Sequence, residues 1–219
     1  MPQIFHPSTN TISRVSILGL VGLVAVSALV WGSLVQSTYL TTMNVPQEQP
    51  IPFSHEHHVG GLGIDCRYCH QTVEESSFAG MPPTETCMHC HKQIWSASPV
   101  LEPVRASFRT GQPLHWNRVY DLAGFAYFDH SIHVRKGVGC ASCHGRVDEM
   151  PLVWRTGTLH MQWCLDCHRA PWRHLRPREH VFDLAWQPDE DQETLGRRLM
   201  TEYDVKGPGQ ITGCYTCHR

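Results

Sequence analysis

The chain has 219 residues, with 18 Lys and Arg against 20 Asp and Glu and a formal charge of −2. That length excludes more than one ordinary domain or two small ones. The near-neutral balance points to no class of partner by itself, and no nucleic-acid partner is expected.

Residues 1–14 form a short N-terminal segment, and no charged residue occurs from Val15 to Gln47. The apolar centre, Val15 to Val35, is 21 residues long, enough for a helix of about 30 Å, the thickness of a bilayer's hydrocarbon layer. We assign 15–36 as a transmembrane helix. Arg14 is the only Lys or Arg before it, so the positive-inside rule places 1–14 in the cytoplasm and the rest outside. A cleaved signal peptide is the competing reading, but its apolar core is usually about 7–15 residues. Residues 37–50 end in Pro46, Pro50 and their polar neighbours and read as an extended linker.

All ten cysteines fall in five copies of Cys-x-x-Cys-His. The cysteine pairs are Cys66 and Cys69, Cys87 and Cys90, Cys140 and Cys143, Cys164 and Cys167, and Cys214 and Cys217. The histidines that follow are His70, His91, His144, His168 and His218. This is the attachment signature of c-type haem, in which two thiols bond to the porphyrin and the next His binds iron. Zinc or redox Cys-x-x-Cys pairs are the bland alternative. His makes up 16 of 219 residues, so five trailing histidines by accident is on the order of one in a million. Five covalent haems, and no disulfide, are expected. Residues 51–219 then form a pentahaem domain too sparse in side chains for an ordinary core. We expect loops and mostly short α-helices wrapped around the porphyrins, behind one N-terminal transmembrane helix. Haem c is attached on the outer side of an energy-coupling membrane, which independently places this domain on the periplasmic side of the inner membrane.

The first cysteines are spaced by 21, 53, 24 and 50 residues, an alternation that marks a repeated two-haem unit. Phe53-Ser54-His55-Glu56-His57-His58 precedes the first motif and Phe128-Asp129-His130-Ser131-Ile132-His133 precedes the third. The units run over 51–125 and 126–200, and the fifth haem occupies 201–219. Residues 181–213 contain no His, so haem 5 must borrow its sixth ligand or lack one.

The best distal ligands are His55, His58, His130 and His133. Histidines three apart on one helical turn share a face, so each turn can hold two haems. His55 and His130 are expected to serve the haem that follows them, with His58 and His133 reaching another. His115, His160, Met81, Met150 and Met161 compete for the fifth position, and a Met there would raise that haem's potential. His57 could substitute for His55 or His58. His89 is trapped inside its own motif, and His174 and His180 lie among arginines that suit solvent or propionates.

These motifs resemble the class III multihaem cytochromes. Three stretches narrow the likeness: Tyr127-Phe128-Asp129-His130 through Val134-Arg135-Lys136-Gly137-Val138-Gly139-Cys140 to Cys143-His144-Gly145, Met81-Pro82-Pro83-Thr84 leading into the second motif, and Trp163-Cys164-Leu165-Asp166-Cys167-His168-Arg169. With the anchor and the C-terminal haem, residues 12–219 look like the pentahaem, membrane-anchored subunit of bacterial alternative complex III. The resemblance implies quinol oxidation, with polytopic quinol-binding subunits, an iron–sulfur protein and a monohaem cytochrome c as partners. Electrons would pass to a soluble acceptor, an oxidase or a photosynthetic chain. Many relatives carry His where this chain has Tyr120, which puts the ligation of one haem in question and makes His115 more interesting. The expected role is an electron-transfer subunit rather than a catalytic subunit by itself. The runner-up is a stand-alone membrane-anchored quinol dehydrogenase feeding periplasmic reductases.

Overall fold

A computed structural model describes residues 4–219. The chain divides after Thr42 into two units. The first is dominated by one helix, Ser8–Gln36, of 29 residues, about 44 Å at the usual rise. It contains the apolar run, has no buried residue and is long and apolar enough to cross a membrane. The Ser37 hydroxyl closes it by donating to Leu34 O at 2.6 Å, one of the carbonyls a helix end leaves without a partner.

The second unit, from Met43 onward, is helical and rich in loops. No strand forms among the described residues, only isolated bridges between Met43 and Arg155 and between Val138 and Leu175. Residues 43–50 form no helix, turn at Asn44 (φ 56°) and are pinned along their length. Asn44 N–H donates to Arg155 O at 2.8 Å and Gln47 N–H to Val153 O at 3.2 Å, while Gln49 exchanges side-chain bonds of 2.9 Å with the backbone of Asn117.

Two small apolar clusters hold this unit. Ile51, Met88, Leu101 and Val104 form one, bringing the helices Thr84–His91 and Glu102–Thr110 together. Leu175, Leu195, Leu199 and Tyr203 form the other. The second is built on the helix Gln192–Glu202, in the stretch without histidine, and is capped by Asp191, whose carboxylate accepts from Thr194 N–H at 2.9 Å. Gly196 allows close approach there, since a Cβ would collide with Trp172 O. The polypeptide alone exposes 14690 Å², against about 10,200 Å² for a typical monomer of its mass. The unburied helix Ser8–Gln36 supplies part of that excess.

Candidate haem-binding sites

Each Cys-x-x-Cys-His motif folds as a single helical turn or lies within a short helix. The turns are Cys66–Cys69, Thr84–His91, Ala141–His144, Met161–Arg169 and Cys214–Cys217. In three of them the histidine N–H donates back to the first cysteine's carbonyl: His70 to Cys66 at 2.8 Å, His144 to Cys140 at 2.9 Å and His218 to Cys214 at 2.9 Å. That i, i+4 closure puts the first sulfur and the imidazole on one face. Asp65 starts the first turn by accepting from Arg67 N–H at 2.8 Å and from its guanidinium at 2.8 and 2.9 Å.

Four of the five motif histidines have Nδ1 beside a main-chain carbonyl: His70 at 2.7 Å from Gly80 O, His91 at 3.1 Å from Ile94 O, His168 at 2.8 Å from Ile211 O and His218 at 3.0 Å from Phe125 O. Three of the four distal candidates share the pattern, His58 to Ser54 O at 2.8 Å, His130 to Ser77 O at 2.8 Å and His133 to Asp129 O at 2.7 Å. A carbonyl can only accept, so Nδ1 carries the proton and Nε2 keeps its lone pair for a metal. A carbonyl partner of this kind fixes tautomer and ring direction together.

The imidazoles also meet in pairs. Ring centroids are 6.2 Å apart for His58 and His91, 6.4 Å for His130 and His144, and 6.2 Å for His133 and His168. Two imidazoles on opposite faces of one metal, with bonds of about 2.0 Å, place their centroids roughly 6 Å apart. His55 and His70 are near enough to influence each other: burial, then His70 and His58, push His55 down to about 4. The Nδ1 of His55 is buried with no partner among the described residues.

Burial pushes most of the cysteine thiols up, Cys140 and Cys143 to about 12. After burial, each of several thiols is raised by a cysteine of another motif, and those neighbours map proximity. Cys69 responds to Cys87, Cys140 to Cys66, Cys143 to Cys167 and Cys164, and Cys164 to Cys217. These neighbours link motif 2 to 1, 1 to 3, 3 to 4 and 4 to 5. Hydrogen bonds agree at the joints. Tyr68 Oη, in motif 1, lies 2.9 Å from Nδ1 of His89, in motif 2. Ser77 O, just after motif 1, receives His130, and Ile211 O, just before motif 5, receives His168.

His144 differs from the other motif histidines. It has no hydrogen-bond partner at Nδ1 among the described residues and packs instead against Tyr120, centroids 4.4 Å apart at 57°. Burial first, then His130, His70 and His55, push it down to about 4. Tyr120 Oη donates to Cys143 O at 3.0 Å and accepts from Thr156 N–H at 3.0 Å, and the Thr156 hydroxyl donates to the same carbonyl at 2.8 Å. Nothing in the motif spacing pointed to this clamp. Gly145 follows in a left-handed turn (φ 67°), where a Cβ would meet Thr156 Cγ2 at 2.7 Å.

The remaining candidates are less convergent. His115, His160, Met81 and Met161 are exposed, while Met150 is buried with its Cε 3.5 Å from where a Gly145 Cβ would lie. His57 is exposed and stacks on Trp95 at 6.2 Å. His180 stacks on Trp186 at 5.7 Å. The ring contact of His218 is with Phe125, at 6.1 Å.

No three His, Cys, Asp or Glu side chains gather as a bare metal cluster among the described residues. The recurring unit is a cysteine pair with imidazoles set for two faces of one iron, and this donor set fits c-type haem. The buried, partnerless Nδ1 of His55 fits a site whose remaining polar surface the polypeptide does not supply. The helical, loop-rich fold with these repeated turns is consistent with a multihaem cytochrome c.

No family model matches the sequence. Over 125 residues the chain is 32% identical to the multihaem cytochrome c subunit of menaquinone reductase from Nitratidesulfovibrio vulgaris. The match covers 57% of this chain and 56% of that protein, so the chain spans about half the length of the curated relative it matches.

Proposed function

We propose that this chain is the electron-transfer subunit of a membrane quinone–quinol oxidoreductase and relays electrons through five covalently bound c-type haems. The observation that carries the reading is the set of three imidazole pairs at 6.2–6.4 Å. On this reading His70 and His55 hold haem 1, His91 and His58 haem 2, His144 and His130 haem 3, and His168 and His133 haem 4. Haem 5 is held by His218, with a sixth ligand drawn from His115, His160, Met81, Met150 or Met161 or left open. The haems wrapped by this polypeptide form a row in the order 2, 1, 3, 4, 5. Haem supplies reversible one-electron chemistry, and the protein supplies ligand, spacing and burial.

The resemblance to the pentahaem subunit of alternative complex III gives the finer form: quinol oxidised by polytopic partners, with an iron–sulfur protein and a monohaem cytochrome c in the same assembly and a periplasmic acceptor beyond. Arg14 ahead of the apolar helix supports a periplasmic haem domain. The relative's name, menaquinone reductase, favours a second reading, in which the same relay runs toward the quinone. Because that relative is named as a subunit, it favours an assembly over a stand-alone quinol dehydrogenase.

The test is to solubilise native membranes gently, isolate the species carrying this haem signal and measure its composition and haem count. Five haems per chain in a large assembly with polytopic subunits and iron–sulfur clusters is the expected result. A free species of this chain alone, reducible by quinol, would overturn the subunit reading. Poising the assembly with quinol and then with a low-potential donor separates the two directions.

A further inference from the structure

Haems 3 and 4 form a natural controlled pair. Their distal ligands, His130 and His133, come from one turn and are both tied at Nδ1 to carbonyls, at 2.8 and 2.7 Å. Their imidazole planes are both near parallel, at 15° and 24°. They differ at the motif histidine. His168 gives its Nδ1 proton to Ile211 O at 2.8 Å, whereas His144 has no such acceptor among the described residues and is held by the Tyr120 ring and the clamp on Cys143 O. A hydrogen bond from Nδ1–H draws the proton outward and makes the imidazole a more basic ligand. A more basic ligand stabilises ferric iron and lowers the potential, and hydrogen bonding around the ligands is one of the levers a haem protein has.

Resting on the ligand assignments above, we propose that Tyr120 is a positioning residue for haem 3, and that haem 3, whose His144 is untethered, stands at a higher reduction potential than haem 4. In the row 2, 1, 3, 4, 5 the middle haem then holds an electron more readily than its neighbour toward haem 5. Tyr120 sets this site through two contacts. Its ring fixes the plane of His144, and its hydroxyl, with that of Thr156, fixes the carbonyl from which His144 hangs.

The experiment is a potentiometric titration of the full-length protein in its membrane assembly, followed by electron paramagnetic resonance and visible absorbance. Haem 3 is identified as the low-spin signal lost in His130→Ala, and haem 4 as that lost in His133→Ala. The signal assigned to haem 3 should titrate above that of haem 4. Tyr120→Phe should retain five haems per chain, shift the g-values and potential of haem 3 and leave the other four in place. Thr156→Val, which removes one hydroxyl bond to Cys143 O and leaves both backbone bonds of the Tyr120 hydroxyl, should shift the same signal by less. Haem 3 at or below haem 4, or five unmoved potentials in Tyr120→Phe, would overturn the proposal. A His130→Ala protein with every haem still low-spin would instead show that the ligand assignment had failed, and the proposal with it.

Discussion

Phe128 lies against the face of His133, ring centroids 4.6 Å apart with planes at 26°. The same ring meets His130 edge-on, at 4.8 Å and 89°. Phe53 repeats both contacts in the first two-haem repeat, with His58 at 4.4 Å and 26° and with His55 at 4.9 Å and 88°. One aromatic ring thus packs flat on one imidazole and edge-on to the other, so that neighbouring histidines on one turn can face different irons. Aromatic pairs of this kind contribute about 0.5–1.5 kcal/mol beyond their buried area. Phe128→Leu should lower unfolding stability by about 1 kcal/mol and broaden the signals of haems 3 and 4, while Phe53→Leu does so for haems 1 and 2. Chemical denaturation and magnetic resonance on the two variants check this, and broadening spread evenly over all haems would remove the orienting role.

Removal of a distal imidazole should act on one haem at a time. His133→Ala should turn haem 4 high-spin and able to bind carbon monoxide, and His58→Ala should do the same for haem 2, the other haems of each unit remaining low-spin. Absorbance of the reduced proteins with and without carbon monoxide reads this directly. If His58→Ala affected haem 1 instead, the pairing of His58 with His91 would be wrong.

The planes of His58 and His91 cross at 65°, unlike the near-parallel pairs at 15° and 24°. Parallel imidazoles donate into the same iron d orbital and split it from its partner, whereas crossed rings leave the two nearly degenerate. Haem 2 should therefore give a low-spin signal of larger g-anisotropy than haems 3 and 4. That signal should be the one missing from the spectrum of His58→Ala.

The candidate haem motifs were legible because covalent attachment needs fixed residues at fixed spacing, and the two-haem repeat because Phe-x-His-x-x-His recurs in register. The order 2, 1, 3, 4, 5 was not legible. It depends on contacts such as His130 with Ser77 O, and any residue supplies a carbonyl. For the same reason the Nδ1 tethers carry no sequence signal. Tyr120 stood out in the sequence only as a departure from the family pattern; its clamp with Thr156 spans 36 positions, and no local pattern encodes that. The apolar stretch Val15–Val35 was plain from composition and lies inside the helix Ser8–Gln36. The pinning of residues 43–50 along 153–155 was hidden, since backbone hydrogen bonds leave little trace in the residues that make them.

Gly196 marks where the polypeptide makes its own core. An added methyl would collide with Trp172 O, so the helix Gln192–Glu202 would have to move off the turn Pro171–Arg173. Overpacking of this kind costs about 1–3 kcal/mol. Gly196→Ala should lower the thermal midpoint while leaving haem attachment unchanged, as read by melting and by haem content. An unchanged midpoint would show that the helix can slide freely.

Asp129 starts the helix His130–Arg135 that carries His130 and His133, the candidate distal histidines of the second two-haem repeat. Its carboxylate accepts from the Ser131 hydroxyl at 2.8 Å, Ile132 N–H at 3.3 Å and the Tyr127 hydroxyl at 3.2 Å. Burial pushes this carboxyl up, but the hydrogen bonds from Ser131, Ile132 and Tyr127 outweigh it and hold it below the usual range. A carboxyl depressed in the folded state stabilises the fold above its unfolded pKa, near 4, and that contribution is lost as pH falls through the depressed value. Asp129→Ala should therefore be about 1 kcal/mol less stable than the parent at neutral pH, the usual cost of losing an N-cap. The gap should narrow as pH drops below about 4. Unfolding curves of both proteins across that range provide the check, and a gap independent of pH would show that the side chain acts by packing rather than by its charge.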